Sequence, residues 1–140
     1  MVTLATTVKD IMDRNIVTAD VKTSVFDAVN LMLKNKVWSL VVTEKGDYVG
    51  LITERDIIRR CIALGLDYKN TPVEKMMSSP LHTIEAHRSP AEAMQKMTVK
   101  NVRRLLVTES GKIVGRVTQT GLLRKVHELL LSLAETTSML

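Results

Sequence analysis

The residues best suited to chemistry are Thr53 and Asp56, within Gly50-Leu51-Ile52-Thr53-Glu54-Arg55-Asp56. A small apolar strand ends in a threonine and runs straight into a helix whose first turn carries the acid. Free N–H groups at a helix start attract phosphate, and a carboxylate one turn in can accept hydrogen bonds from both hydroxyls of a ribose. That arrangement suits a nucleotide. It equally suits a plain helix start, because Thr-x-x-Asp is a capping-box-like pattern in which threonine oxygen and acid satisfy each other's backbone donors. Taken alone, the stretch leaves both readings open.

Other chemistry finds little support. His82, His87 and His127 have neither metal-ligand spacing nor an accompanying cysteine pair, and no serine sits in a nucleophile elbow. No catalytic residue and no metal ligand is expected, and the chain reads as a non-enzyme. The single cysteine, Cys61, lies near Ile58 and Ile62 and is expected to be a buried thiol in a reducing, intracellular setting.

The 140 residues make one domain, or two very small units sharing a core, since lone units of about 60 residues are marginal. A 45% hydrophobic and 25% charged composition is ordinary for a soluble globular protein, and the 3% aromatic share leaves the core to Val, Leu, Ile and Met. The net charge of +5 favours anionic ligands but falls short of a dedicated DNA-binding tail. No apolar run approaches the roughly 20 residues of a membrane helix, and the start lacks the charge and cleavage site of a signal peptide. No membrane insertion and a cytoplasmic location are expected.

The elements that position Thr53 and Asp56 occur twice. A shift of 65 positions, which carries Val8 onto Val73, superimposes the two halves without a gap. It lays Ser24 on Ser89, Val42-Thr43-Glu44-x-Gly46 on Val107-Thr108-Glu109-x-Gly111, and Val49-Gly50-x-x-Thr53 on Val114-Gly115-x-x-Thr118. Each half opens with a helical turn, Thr6–Met12 or Thr71–Met77, with Pro72 suited to a first helical position. A short strand follows near Ile16–Thr18 and Leu81–Ile84. A serine-capped helix comes next, with Val25, Ala28, Val29 and Met32 in one half and Ala93, Met94 and Met97 in the other as its core face. Two strands read as a hairpin, Trp38–Thr43 with Tyr48–Thr53 and Arg103–Thr108 with Lys112–Thr118. The closing helices run from about Glu54 to Leu64 and from about Gln119 to Leu133. The second sets Leu122, Leu123, Val126, Leu129, Leu130 and Leu133 on one face; some of it belongs to the core of the two halves, and the overhang past His127 either does so too or binds a second copy of the chain.

Two tandem units of strand, helix, strand, strand, helix, each with a Gly-x-x-Thr junction into the last helix, resemble a pair of cystathionine-beta-synthase (CBS) domains, the Bateman module. The resemblance covers about Val8 to Leu133, with repeats at 7–66 and 72–134. It implies an α+β fold of two β-α-β-β-α repeats packed about a pseudo-twofold axis. It also implies that the first strand of each repeat pairs away from its own hairpin, and that clefts between the repeats bind adenine nucleotides. Pairs in this family commonly dimerise, so a homodimer is expected.

The family's ligand motif, Gly-h-x-Thr/Ser-x-x-Asp with h apolar, is matched at every position by Gly50 to Asp56. The resemblance thus implies Thr53 near phosphate and Asp56 on ribose, with Arg55 beside them. Gly115-Arg116-Val117-Thr118-Gln119-Thr120-Gly121 departs, with Gly121 in place of the acid and Arg116 at the apolar position. One good site and one weak or empty one are expected. Val102-Arg103-Arg104-Leu105 replaces Val37-Trp38-Ser39-Leu40 at positions that border the family's cleft. Arg103 and Arg104 either bind the phosphate of a nucleotide whose ribose lies on Asp56 or form a solvated strand edge. Trp38, next to Ser39, either flanks the adenine or fills the core. Thr18 and Thr83 end the first strands, near the adenine. Arg59, Arg60, Arg124 and Lys125 are expected on solvated faces.

The resemblance implies a stand-alone regulatory role: AMP, ADP or ATP, or S-adenosylmethionine, is sensed for a regulated enzyme or transporter, and no cofactor is required. The rival is a nucleic-acid-binding or scaffolding protein, suggested by the charge and the arginines but lacking helix-turn-helix or finger patterns and offering few aromatics for base stacking.

Overall fold

The computed structural model describes residues 6–79 and 81–138. In chain order the elements are α1 (Val8–Ile11), β1 (Thr18–Asp20), α2 (Val25–Asn35), β2 (Ser39–Glu44), β3 (Asp47–Thr53), α3 (Glu54–Ile57), β4 (Thr83–Glu85), α4 (Pro90–Lys100), β5 (Arg104–Glu109), β6 (Lys112–Thr118) and α5 (Gln119–Ser138). Two three-stranded sheets, β1-β2-β3 and β4-β5-β6, combine with helices in a mixed α+β fold.

The local chemistry repeats as the sequence does. Ser24 and Ser89 each accept a hydrogen bond at 3.1 Å from the third residue on, Asp27 or Glu92, and Pro90 sits in the first turn of α4. Both helices end on a left-handed residue, Lys36 at φ 54° and Asn101 at φ 53°. Lys45-Gly46 and Ser110-Gly111 have positive φ throughout, the backbone that a two-residue hairpin turn requires.

β2 pairs with β3 antiparallel, Ser39 opposite Thr53 and Val41 opposite Leu51. β5 and β6 repeat that register, Arg104 opposite Thr118 and Leu106 opposite Arg116. β1 and β4 run parallel to β2 and β5, Thr18 beside Val41 and Thr83 beside Leu106.

Several expectations change. The first strands begin at Thr18 and Thr83 rather than ending there, because alternation about buried Ala19 and Ile84 fixes the register. Each first strand also pairs with its own hairpin; what pairs elsewhere is the lead-in. Pro72 lies at the cap outside a single 3-10 turn, Val73–Lys75, since its ψ of 149° is extended. The first closing helix is not regular: after α3 it widens into a π-helix, Ile58–Ile62, closed by the Ala63 N–H on the Ile58 carbonyl at 2.8 Å. Met94 is 44% exposed, while Met32 and Met97 are buried as expected.

The chain divides into two compact units, one of Ile16–Leu81 and one of residues up to Asn15 together with those from His82 on. These bounds differ from those of the sequence repeats because the lead-ins are exchanged. In the first unit Val73 and Met76 are buried among Ala28, Met32, Leu40, Val42, Ile52 and Cys61. In the second, Val8 is fully buried with Ile84, Ala93, Met97, Leu105, Val107, Val117 and Leu122. Burying a valine side chain contributes about 1.5 to 3 kcal/mol, so neither core is complete without its lead-in.

Candidate functional site

β3 delivers Thr53 to the cap of α3 in extended conformation, and its hydroxyl accepts from the Asp56 N–H at 3.2 Å. Asp56 replies: Oδ2 accepts from the Thr53 N–H at 2.9 Å and from the Thr53 hydroxyl at 3.1 Å. This is a capping box. The other carboxylate oxygen, Oδ1, accepts from the Ser78 hydroxyl at 3.3 Å. Asp56 is one of two buried polar residues among those described, at 9% exposure, the other being Ser39.

The Ser78 contact exists because the end of the lead-in segment forms an isolated bridge to β3 at Leu51. Leu51 and Ser78 exchange two backbone hydrogen bonds, at 3.0 and 2.8 Å. Their approach explains Gly50: a Cβ there would stand 2.7 Å from Met77 Sδ and 3.0 Å from the Ser78 carbonyl oxygen. Arg60, exposed as expected, nonetheless anchors this segment by donating from Nη1 to the Met76 and Met77 carbonyls, both at 3.1 Å. Ser78 and the role of Arg60 escaped sequence reasoning; the signal for Ser78 was its alignment with Asp13 under the repeat shift.

Trp38 is 62% exposed, which removes the core-filling reading. Its carbonyl accepts from the Glu54 N–H at 3.2 Å, tying the start of β2 to the start of α3. Thr18 and Arg55 are exposed. Of the candidate residues, Thr18, Trp38, Ser39, Thr53, Arg55 and Asp56 therefore belong to one unit, while Thr83, Arg103, Arg104 and Thr118 belong to the other.

In that second unit Thr118 caps α5 alone, its hydroxyl accepting from the Gly121 N–H at 3.0 Å. Gly115 is held by the same close approach, its would-be Cβ 2.6 Å from Met12 Sδ and 2.9 Å from the Asp13 carbonyl oxygen. Arg116 bonds Asp13 twice through backbone, at 2.9 and 2.8 Å, and once from Nη2 to Oδ2 at 2.9 Å. Burial pushes the Asp13 carboxyl up, but the Asn15 N–H and the Arg116 guanidinium outweigh it and hold the group below the usual carboxylate range. Lys96 donates to the Thr83 carbonyl. Arg103 is exposed and Arg104 half-buried.

Among the described residues no group of three or more His, Cys, Asp or Glu is placed to hold a metal ion, and no helix is long and apolar enough to cross a membrane.

The CBS domain model matches residues 8–63 and 73–128, and the chain belongs to the CBS-domain family. It is 34% identical over 110 residues to the CBS domain-containing protein YhcV of Bacillus subtilis, covering 79% of this chain and 78% of that one. A crystal structure of an uncharacterized conserved protein from Pyrococcus horikoshii superposes with a TM-score of 0.83 at 36% identity, covering 89% of this chain and 95% of that one. A hexameric CBS-CP12 protein from bloom-forming cyanobacteria superposes with a TM-score of 0.79 at 26% identity over 86% of this chain and 72% of its own.

Proposed function

We propose that the chain is a regulatory module that binds an adenine nucleotide, AMP, ADP or ATP, at the Thr53–Asp56 junction and signals its presence to a partner protein. The observation that carries this reading is the pairing of Asp56 with its missing counterpart. Thr118 starts α5 with the same hydroxyl-to-backbone bond and a glycine three residues on, so capping does not require the acid. A buried carboxyl is costly unless its hydrogen bonds are satisfied or it serves another purpose. Asp56 has Oδ2 fixed by Thr53, while Oδ1, among the described residues, holds a long bond from a serine hydroxyl, which can rotate away. Ribose hydroxyls donating to Oδ1 would complete its hydrogen bonding in a pre-oriented geometry. Exposed Trp38, joined to the helix start by its carbonyl, supplies an aromatic face for the base.

Signalling requires that the ligand prefer one of two states of the protein. The lead-in segment is suited to this, because Ser78 contacts the proposed ribose acid directly. A partner that reads this segment would respond to occupancy. Self-association is part of the same proposal: Leu123, Leu130 and Leu133 on α5 are 60%, 59% and 47% exposed, an apolar face for a second copy.

Calorimetry of the purified chain against AMP, ADP, ATP, S-adenosylmethionine and NADH tests the reading. A hydrogen bond to a charged group contributes about 1.5 to 3 kcal/mol, so Asp56→Ala should weaken binding roughly 10- to 150-fold. Binding of none of these below millimolar concentration, or an affinity untouched by the substitution, overturns it. Affinity for RNA or DNA that falls steeply with salt and ignores AMP would instead support the nucleic-acid reading that the +5 charge allows.

A further inference from the structure

We infer that Ser78 is the residue through which the protein tells a ribose from a deoxyribose. A ribose takes the place of the Ser78 hydroxyl on Asp56 and loosens the lead-in segment from β3, whereas a deoxyribose leaves that bond in place. The inference rests on the nucleotide reading and adds which feature of the ligand the segment responds to.

Its basis is a count of acceptor positions. A carboxylate accepts hydrogen bonds at about four positions, two on each oxygen. On Asp56 the Thr53 N–H and the Thr53 hydroxyl, at 2.9 and 3.1 Å, fill both positions of Oδ2. The Ser78 hydroxyl, at 3.3 Å, fills one of the two on Oδ1. Among the described residues, one position therefore remains. A deoxyribose has a single ring hydroxyl to donate and fits that position. A ribose has two adjacent hydroxyls and can donate both only if another donor leaves. The Thr53 donors belong to the capping box, which the Asp56 N–H closes by donating to the Thr53 hydroxyl oxygen at 3.2 Å. Of the three bonds to the carboxylate the serine bond is the longest, and it comes from a rotatable hydroxyl, so Ser78 is the donor that yields.

What that bond holds follows from the neighbours of Ser78. Upstream, the Met76 and Met77 N–H groups both donate to the Val73 carbonyl at 2.9 Å, and Arg60 holds the Met76 and Met77 carbonyls. These bonds anchor the segment as far as Met77. Ser78 itself is held by the two backbone bonds of its isolated bridge to Leu51 and by its hydroxyl on Asp56. Without the hydroxyl bond the backbone pair is left with no neighbouring ladder bonds to protect it, and it opens locally.

The other unit is built differently at the same place. Asp13, the counterpart of Ser78 under the repeat shift, has the same two backbone bonds to Arg116 and adds an ion pair at 2.9 Å, while Gly121 stands at the position of the acid. A neutral hydroxyl does not replace a guanidinium on a carboxylate. The exchangeable bond thus belongs to the unit that also carries Asp56.

The test compares AMP with 2′-deoxy-AMP on the full chain, by calorimetry and by amide exchange followed with NMR. In the wild-type protein AMP should speed exchange at the Leu51 and Ser78 amides about 2- to 12-fold, the factor that one net hydrogen bond represents, and leave Met76 and Met77 unchanged. Bound 2′-deoxy-AMP should speed neither. Ser78→Ala has no bond to give up, so AMP affinity should rise by a similar factor while 2′-deoxy-AMP affinity stays the same. Ser78→Thr keeps a hydroxyl and should behave as the wild type. An AMP affinity that Ser78→Ala does not raise, or equal exchange with the two nucleotides bound, overturns the inference; should Ser78→Ala prove unstable, the wild-type exchange comparison decides. If either result is found while AMP binding still depends on Asp56, the nucleotide reading stands and this inference alone falls. If AMP does not bind, both fall.

Discussion

Each of the two motif glycines, Gly50 and Gly115, answers to a backbone crossing it before it answers to any ligand. A methyl group at residue 50 meets Met77 Sδ, which can move, and the Ser78 carbonyl, which cannot without breaking two hydrogen bonds. Gly50→Ala should therefore cost about 1 to 3 kcal/mol, as overpacking does, and lower the melting temperature by several degrees; an unchanged melt would show that the Met77–Ser78 segment yields. Carboxyl groups make a second forecast. The Thr7 N–H and hydroxyl lower Asp10, the Asn15 N–H and Arg116 outweigh burial at Asp13, and Asn70 and the Lys69 N–H lower Asp67. Groups lowered in the folded state contribute stability that is full above the ordinary carboxyl value of about 3.9 and is lost as pH falls through their folded values. Melting temperature should thus drop below about pH 4, and Asp13→Asn should flatten part of that drop. All three groups are largely solvated, so the effect is modest.

At the scale of elements, the face of α5 is divided between core and surface. Its apolar face has the expected spacing, yet of the six residues on it Leu122 alone is buried. The core of its unit is already filled by α4 and α1, leaving the rest of the face without a place to pack. If that face joins two copies, Leu130→Glu with Leu133→Glu should shift the chain from dimer to monomer in sedimentation equilibrium while the melt stays cooperative. A wild-type monomer would remove the idea. The first closing helix shows the opposite outcome: its spacing suggested a regular helix, but the turn at Ile58–Ile62 is widened. Tertiary contacts favour it, since Cys61 is fully buried while Arg60 holds two carbonyls of the lead-in segment.

For the whole molecule, the exchange of lead-ins decides what can fold alone. The continuous unit Ile16–Leu81 contains every residue of its core, whereas a fragment cut at the repeat bounds, 7–66, lacks the buried Val73 and Met76. Expressed separately, residues 16–81 should show a cooperative thermal transition by circular dichroism and residues 7–66 should not. Equal behaviour of the two fragments would mean that the lead-in contributes little.

The repeat, the order of elements, the capped helices and the hairpins were all readable from one chain, because each depends on neighbours in sequence: a serine three residues before an acid, a glycine after a left-handed residue, apolar residues at a fixed period. Thr53 and Asp56 were legible for the same reason, being three residues apart. Tertiary structure alone decided that Val8 completes the core around Leu105, that Ser78 rather than a near neighbour reaches Asp56 Oδ1, and that Trp38 stands exposed. Those outcomes depend on which strand edge remains open once a hairpin has formed, and no local pattern states that. The edge of β3 accepts Ser78 and the edge of β6 accepts Asp13 because unpaired backbone groups must find partners and glycine leaves room for them.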